Sequence, residues 1–466
     1  MSPNKTKELA DPRLPATSGT WLFRPPVGGL WLGPSFDWTA LKTITRVLMP
    51  LARAGAAATM AGGDRGRFWQ ELPGTATDRL PTERTLAAVG GCAVAYEDAD
   101  RRWRAAFFGE EPTDAAHRVQ AELRRRAAIR RVERAQLGLL PLVLRGRVAA
   151  LRWDVRSVSE AKARHEARLA SPETAFPAPS VPEVSRSRGI TGPYGDEQYW
   201  LRFPAPVAET GNDAWAHVYA PHGVKDPPTF IFLHGVLVEP EFVPDAWDPL
   251  PRAVREGVRV IRPEGPWHGR RRLGGRYGGE PVLARGPLGF LDFFAGWVAE
   301  IAALVAWARR TGRGPVAVGG ISIGALTTQL VATAARHWPA EMTPDAFLLV
   351  ATSDEIADAG LNGSLGRALG LPRQLAANGW SEEALAEWAP LTEPRGQPAV
   401  PAEHIVMAIG SRDTVLPPRG AFSLADRWSV PQENLFVSRC GHFSMSLGLG
   451  VNHAPLRKVL TLLQGR

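Results

Sequence analysis

The chain has 466 residues, 44% apolar and 22% charged. That length buries a core unaided, and those fractions exclude a disordered or fibrous chain. Two cysteines, Cys92 and Cys440, exclude a disulfide scaffold and a four-cysteine zinc site and point to a reducing, cytoplasmic compartment.

The net charge is +8, and it is uneven: residues 1–190 carry +10 and residues 191–466 carry −2. The first residues, MSPNKTKELADPRLP, place no apolar run after Lys5 and Lys7, so no secretory signal is expected. Residues 1–190 read as a basic, mainly helical region, with helical patterns over 38–61 and 113–153. The densest run of charge is Arg118, Arg124, Arg125, Arg126, Arg130, Arg131 and Arg134. A solvated helix face is the simplest reading of it. Peripheral contact with an anionic membrane is the functional alternative, and in the absence of a recognisable motif no nucleic-acid partner is expected. Residues 171–195 (SPETAFPAPSVPEVSRSRGITGPYG) have the Pro, Ser and Gly content of an extended linker.

Residues 191–466 read as a second domain. Short apolar runs lie at 229–233 (TFIFL), 258–261 (VRVI), 316–318 (VAV), 346–351 (AFLLVA), 404–409 (HIVMAI) and 434–437 (NLFV). Helical patterns, the longest over 288–310, separate them. Continuous apolar strands alternating with helices predict a mostly parallel α/β sheet covered on both faces. Residues 314–335 carry no charge over 22 positions. Their glycines and hydroxyls fit a strand, a turn and a buried helix better than a membrane span.

Sites in such sheets collect beyond the carboxyl ends of the strands. Ser322, in Gly320-Ile321-Ser322-Ile323-Gly324, stands between a strand and a helix, the setting of a nucleophile elbow. Asp413 follows the run at 404–409 and His442 follows the run at 434–437. An imidazole can take the serine proton, and an aspartate can fix its tautomer. Asp354, after the run at 346–351, is the rival acid but reads better as a helix cap. Cys440 reads as a small core residue. Backbone N–H groups of Ile323 and Val236, with Leu237 as the alternative to Val236, are placed to hold an oxyanion. His234 reads as a loop brace. The order Ser, Asp, His is that of the α/β-hydrolases.

On LHG (233–235), GGISIG (319–324), GSRDTVLPP (410–418) and CGHFS (440–444), residues 229–450 resemble an α/β-hydrolase. A narrower likeness, to the alpha/beta hydrolase domain-containing family 18, rests on PEGPWHGRRR (263–272), GPVAVGGISIGA (314–325) and ATSDEIADAGL (351–361). The intact His234-Gly235 pair departs from that family and matches typical esterases. The resemblance implies a serine hydrolase acting on a small-molecule carboxylic ester, with no metal and no organic cofactor. Thioesterases, amidases and acyltransferases would use the same residues. A catalytically idle scaffold or membrane-surface binding protein is the alternative from another class.

Two segments bear on the substrate. His268, Arg270, Arg271 and Arg272, with Arg276, follow the run at 258–261. They would bind an anionic headgroup or carboxylate, unless they pair with carboxylates such as Glu264 and Glu280. Residues 354–400, rich in leucine (Leu361, Leu365, Leu369, Leu371, Leu375, Leu385), would form a lid over an apolar acyl pocket. The alternative is an ordinary helical crossover.

Overall fold

The computed structural model describes residues 13–14, 33–72, 81–238 and 248–465. Among the described residues, seven α-helices precede the sheet: α1 (Pro34–Thr43), α2 (Met49–Ala61), α3 (Arg65–Glu71), α4 (Glu83–Phe108), α5 (Ala115–Gln136), α6 (Leu140–Leu144) and α7 (Val158–Leu169). Side-chain caps start several of them. Asp64, Thr82 and Asp114 each accept a backbone N–H at the head of α3, α4 and α5, and Ser157 with Glu160 forms a capping box on α7.

The sheet strands are β1 (Ser185–Arg186), β2 (Ile190–Thr191), β3 (Glu197–Pro204), β4 (Asp213–Ala220), β5 (Thr229–Leu233), β6 (Arg259–Glu264), β7 (Val316–Ile321), β8 (Ala346–Val350), β9 (Ile405–Gly410) and β10 (Leu435–Ser438). Their order is β1-β3-β4-β6-β5-β7-β8-β9-β10, with β2 paired to β3. From β6 to β10 all pairs are parallel. β1 to β4 add an antiparallel end. This is the mostly parallel α/β sheet that the apolar runs predicted.

Burial on both faces explains those runs. Along β5, Ile231 and Leu233 enter one core while Phe230 and Phe232 enter the other. The same alternation divides Phe347 and Leu349 from Leu348 and Val350 in β8. Two long helices, α10 (Pro287–Arg310) and α11 (Ile323–Ala334), cover the first face with the shorter α16 (Pro418–Arg427), and α9 (Glu280–Ala284) leads into α10. α8 (Leu250–Arg255) and the C-terminal helix α18 (Ala454–Gln464) cover the second.

Two departures from the sequence reading concern the antiparallel end. Part of the expected linker at 171–195 is strand, because β1 and β2 pair with β3. β3 and β4 were not anticipated. The basic helices are also packed on this end of the sheet. Trp103 of α4 lies under Trp200 of β3 with ring centroids 5.0 Å apart and perpendicular planes. Phe107 meets the same indole at 5.0 Å. The Arg270 guanidinium sits 4.7 Å from the Trp103 ring and 5.1 Å from the Trp215 ring.

Trp103 is fully buried at this junction. Trp103→Ala is expected to cost about 3–5 kcal/mol in denaturant unfolding, as large core truncations do. A loss below about 1 kcal/mol would mean that the helices and the sheet do not unfold as one unit.

Candidate active site

The end of β7 carries a tight turn into α11. Ser322 has φ +56° and ψ −122°, a region that residues with a Cβ rarely enter. It caps α11 and donates its backbone N–H to the Val350 carbonyl at 3.0 Å. The neighbouring glycines are required by close approach. A Cβ on Gly320 would lie 2.4 Å from the carbonyl carbon of Gly324, and one on Gly324 would lie 2.5 Å from the Leu233 oxygen.

Asp413 lies in the loop after β9. Its Oδ1 accepts the N–H groups of Val415 at 2.8 Å and Leu416 at 2.9 Å. Its Oδ2 is thereby aimed at His442 Nδ1, 2.7 Å away. His442 opens α17 (His442–Gly448), after β10. With Nδ1–H donating to the carboxylate, Nε2 keeps its lone pair and accepts the Ser322 hydroxyl at 2.9 Å. Both His442 and Asp413 are buried. The three residues singled out from the sequence therefore form one hydrogen-bonded line.

Asp354 does not join it. Its carboxylate takes the Ser423 hydroxyl at 3.2 Å and the Arg427 guanidinium at 2.9 Å. Nor is it a helix cap, since α12 (Ile356–Asn362) has Glu355 at that position. Burial, with Asp37 and Asp413 nearby, pushes the Cys440 thiol up to about 11, so it stays protonated and is a poor nucleophile.

The loop after β5 runs beside the nucleophile: a Cβ on Gly235 would lie 3.6 Å from the Ser322 Cβ. The Val238 N–H closes a turn on the Gly235 carbonyl at 3.2 Å, with Leu237 at φ +66°. His234 holds this turn. Its Nδ1–H donates to the Gly235 carbonyl at 2.8 Å, and its Nε2 accepts the Gly265 N–H at 3.0 Å. The Gly235 carbonyl and the Val236 N–H belong to one rigid peptide group and point in opposite directions. Fixing the carbonyl therefore fixes the N–H. Ile323 is the first residue of α11, whose leading N–H groups have no partner inside the helix. Among the described residues neither Val236 nor Ile323 donates a backbone hydrogen bond.

A cavity of about 130 Å³ opens on Ser322. Its walls include Val236, Ile323, Phe290 of α10 and, from the 354–400 segment, Leu365, Leu369 and Trp388. That segment folds as α12, α13 (Ser364–Leu369), α14 (Leu371–Ala377) and α15 (Glu382–Trp388). Trp153, which belongs to the N-terminal region, is a further wall. No sequence signal marked it, because it follows the Arg-rich helices in an irregular stretch.

The arginine loop requires a correction. Arg270 pairs with Glu264 through its side chain and its backbone N–H. Arg271 is buried and grips both Glu300 oxygens, at 2.8 and 2.7 Å, and the Thr210 carbonyl at 3.0 Å. Arg272 is exposed and donates to the Gly269 carbonyl at 3.0 Å. Arg276 pairs with Glu280 at 3.0 Å. His268 is fully buried, with Nδ1 2.9 Å from the Pro266 carbonyl oxygen. None of them lines the cavity at Ser322. The guanidinium groups of Arg270, Arg271 and Arg276 are matched to carboxylates within the fold, and the exposed Arg272 lies away from the cavity, so the loop does not form a substrate-binding cluster at Ser322.

No family model matches the chain, and no curated protein matches it. Similar solved structures include acetyl xylan esterase 1 from Thermoanaerobacterium sp. JW/SL YS485, 15% identical over 61% of this chain and 93% of that one, TM-score 0.42. Oligopeptidase B from Leishmania major is 12% identical over 61% of this chain and 43% of its own, TM-score 0.41. An esterase from an Arctic intertidal metagenomic library is 14% identical over 57% and 94%, TM-score 0.38. The sheet order and the strained strand-to-helix turn of this chain are those of an α/β-hydrolase fold.

Burial lowers His234 from its ordinary 6.5 to about 4, and it lowers His268 well below 6.5. Each is neutral in the folded chain, so on acidification the unfolded chain takes up the proton first. The stability they confer is complete above about pH 6.5 and is lost as pH falls towards 4. Burial raises the Glu393 carboxyl to about 7, which stabilises the fold as pH falls over the same interval, so the His234 share is read by comparing wild type with His234→Asn in urea unfolding at pH 7 and pH 5. The wild type should lose about 2 kcal/mol more than the variant between the two pH values, and an equal change in both would contradict a neutral, buried His234.

Proposed function

We propose that the chain is a serine hydrolase that cleaves a carboxylic ester through an acyl-enzyme. The observation that carries this reading is the line Ser322 Oγ, His442 Nε2, His442 Nδ1, Asp413 Oδ2, with contacts of 2.9 and 2.7 Å. Ser322 Oγ attacks the ester carbonyl as its proton passes to His442 Nε2. The Asp413 carboxylate stabilises the resulting imidazolium. The carbonyl oxygen becomes an oxyanion and is met by the N–H groups of Ile323 and Val236. The intermediate then collapses. The alkoxide leaves with the proton from His442, and the acyl group stays on Ser322. Water, deprotonated by His442, attacks the acyl carbonyl and releases the acid and the serine. An idle scaffold would have no need of all three residues in hydrogen-bond register. The narrower kinship to the alpha/beta hydrolase domain-containing family 18 is proposed on the 263–272 and 314–325 motifs alone, and the cytoplasmic location on cysteine content.

The cavity supports an apolar acyl group of limited length. Among the described residues no charged side chain lines it, so an anionic acyl group would lose its hydration without compensation. An apolar cavity of roughly 150 Å³ holds benzene, a six-carbon guest. A cavity of about 130 Å³ therefore suits an acyl chain of about four to six carbons by the same comparison. Across p-nitrophenyl esters, kcat/KM should peak at butyryl to hexanoyl and fall for acetyl and dodecanoyl. Ser322→Ala should lower kcat by about 10⁴-fold or more with the fold intact. Hydrolysis at the wild-type rate in Ser322→Ala would overturn the reading. A profile confined to acetyl, or rising through dodecanoyl, would contradict the acyl pocket.

A further inference from the structure

His442 is held at its ring by Asp413, but its backbone is held from the far end of the chain. It is the first residue of α17, whose cap position is Gly441. A helix start ordinarily takes its cap from a Ser, Thr, Asp or Asn side chain at that position. Gly441 has none to offer. In its place stands Asp37, from α1. Asp37 Oδ1 accepts the N–H groups of Phe443 at 2.7 Å and Ser444 at 3.0 Å. Asp37 Oδ2 accepts the Gly441 N–H at 3.0 Å and the Ser444 hydroxyl at 2.6 Å. The carboxylate occupies the place of a capping side chain so closely that a Cβ on Gly441 would lie 2.6 Å from the Asp37 Cγ. Glycine at 441 and aspartate at 37 are two halves of one device.

We propose that Asp37 is a positioning residue for His442, and that the helical region ahead of the sheet is thereby part of the active site. The proposal rests on the serine-hydrolase reading for its kinetic consequence. Residues 439–441 join β10 to α17 and contribute no side-chain cap of their own. The N–H groups on both sides of His442, those of Gly441 and Phe443, end on one carboxylate. The path of the backbone through His442 is therefore set from α1, and with it the point from which the imidazole reaches Ser322. Losing the carboxylate frees that path. The relay depends on a 2.9 Å contact, and a misplacement of about 1 Å can lower a rate about a hundredfold.

The test uses the full chain with p-nitrophenyl butyrate. Asp37→Ala should lower kcat about ten- to a hundredfold while KM stays within about twofold, because the carboxylate does not line the acyl cavity. Amide hydrogen exchange across residues 441–448 should rise in the same variant. Asp37→Asn keeps Oδ1 for the Phe443 and Ser444 N–H groups and should restore kcat to within about fivefold of wild type. Asp64→Ala is the control. Asp64 caps α3 by accepting the Arg67 N–H at 2.7 Å, so its loss removes a comparable cap elsewhere in the helical region and should leave kcat unchanged. If Asp37→Ala does not fold, Asp37→Glu carries the test. It keeps the charge but displaces it by one methylene, and kcat should fall with KM retained. An unchanged kcat in Asp37→Ala, or an equal loss in Asp64→Ala, would overturn the proposal. A wild-type chain with no esterase activity would refute the serine-hydrolase reading instead. Exchange at 441–448 would then decide the Asp37 cap by itself, and unaltered exchange in Asp37→Ala would overturn it.

Discussion

An alcohol becomes a nucleophile near neutral pH only when a base is within hydrogen-bond reach of its proton, and that base acts only if its lone pair faces the alcohol. On the proposed function, the whole requirement in this chain falls on one imidazole. His442 must present Nε2 to Ser322, so Nδ1 must carry the proton, so a carboxylate must stand behind it. Asp413 is available for this because two backbone N–H groups already hold its other oxygen. Each of the three groups hangs from the carboxyl end of a different strand. The parallel register of β7, β8, β9 and β10 brings those ends to one edge.

The basic N-terminal region is built into this arrangement. α4 closes over the antiparallel strands through Trp103 and Phe107. Met49 and Leu151 pack with Val236 and Leu237 in the loop beside Ser322. Trp153 is a wall of the cavity, and Asp37 caps the helix that begins at His442. Buried charge joins the two parts as well. Arg53 of α2 donates to the Gly275 carbonyl at 2.9 Å and faces Glu280 at 3.7 Å. A buried arginine of this kind is tolerated only because carbonyls and a carboxylate surround it.

What the sequence made legible follows from the range of the interactions. The parallel strands were readable because burial on both faces leaves unbroken apolar runs, as in TFIFL and AFLLVA. Ser322, Asp413 and His442 were readable because a strand end followed by a turn is a local pattern. β3 and β4 were not, since Gln198, Arg202 and His217 interrupt their apolar residues. The arginine loop left a substrate contact and internal ion pairs both open for a related reason. Composition cannot distinguish a guanidinium facing solvent from one matched to a carboxylate. The partner of Arg271 is Glu300, inside the largely apolar α10 and 29 residues away. Asp37 is the extreme case. Its partners lie 404 to 407 residues further on, and in its own segment it looks like an ordinary acidic residue in a first helical turn.

The central claim is that one serine, strained on the turn after β7 and bonded to His442, is activated above every other hydroxyl in the chain. Its most direct measurement is the site of covalent capture by a fluorophosphonate, read by peptide mass spectrometry on the wild-type protein. The account predicts a single adduct, on Ser322, formed in the native chain and absent after denaturation. An adduct on another residue, Ser411 or Ser444 for example, or no adduct on the native chain, would contradict it.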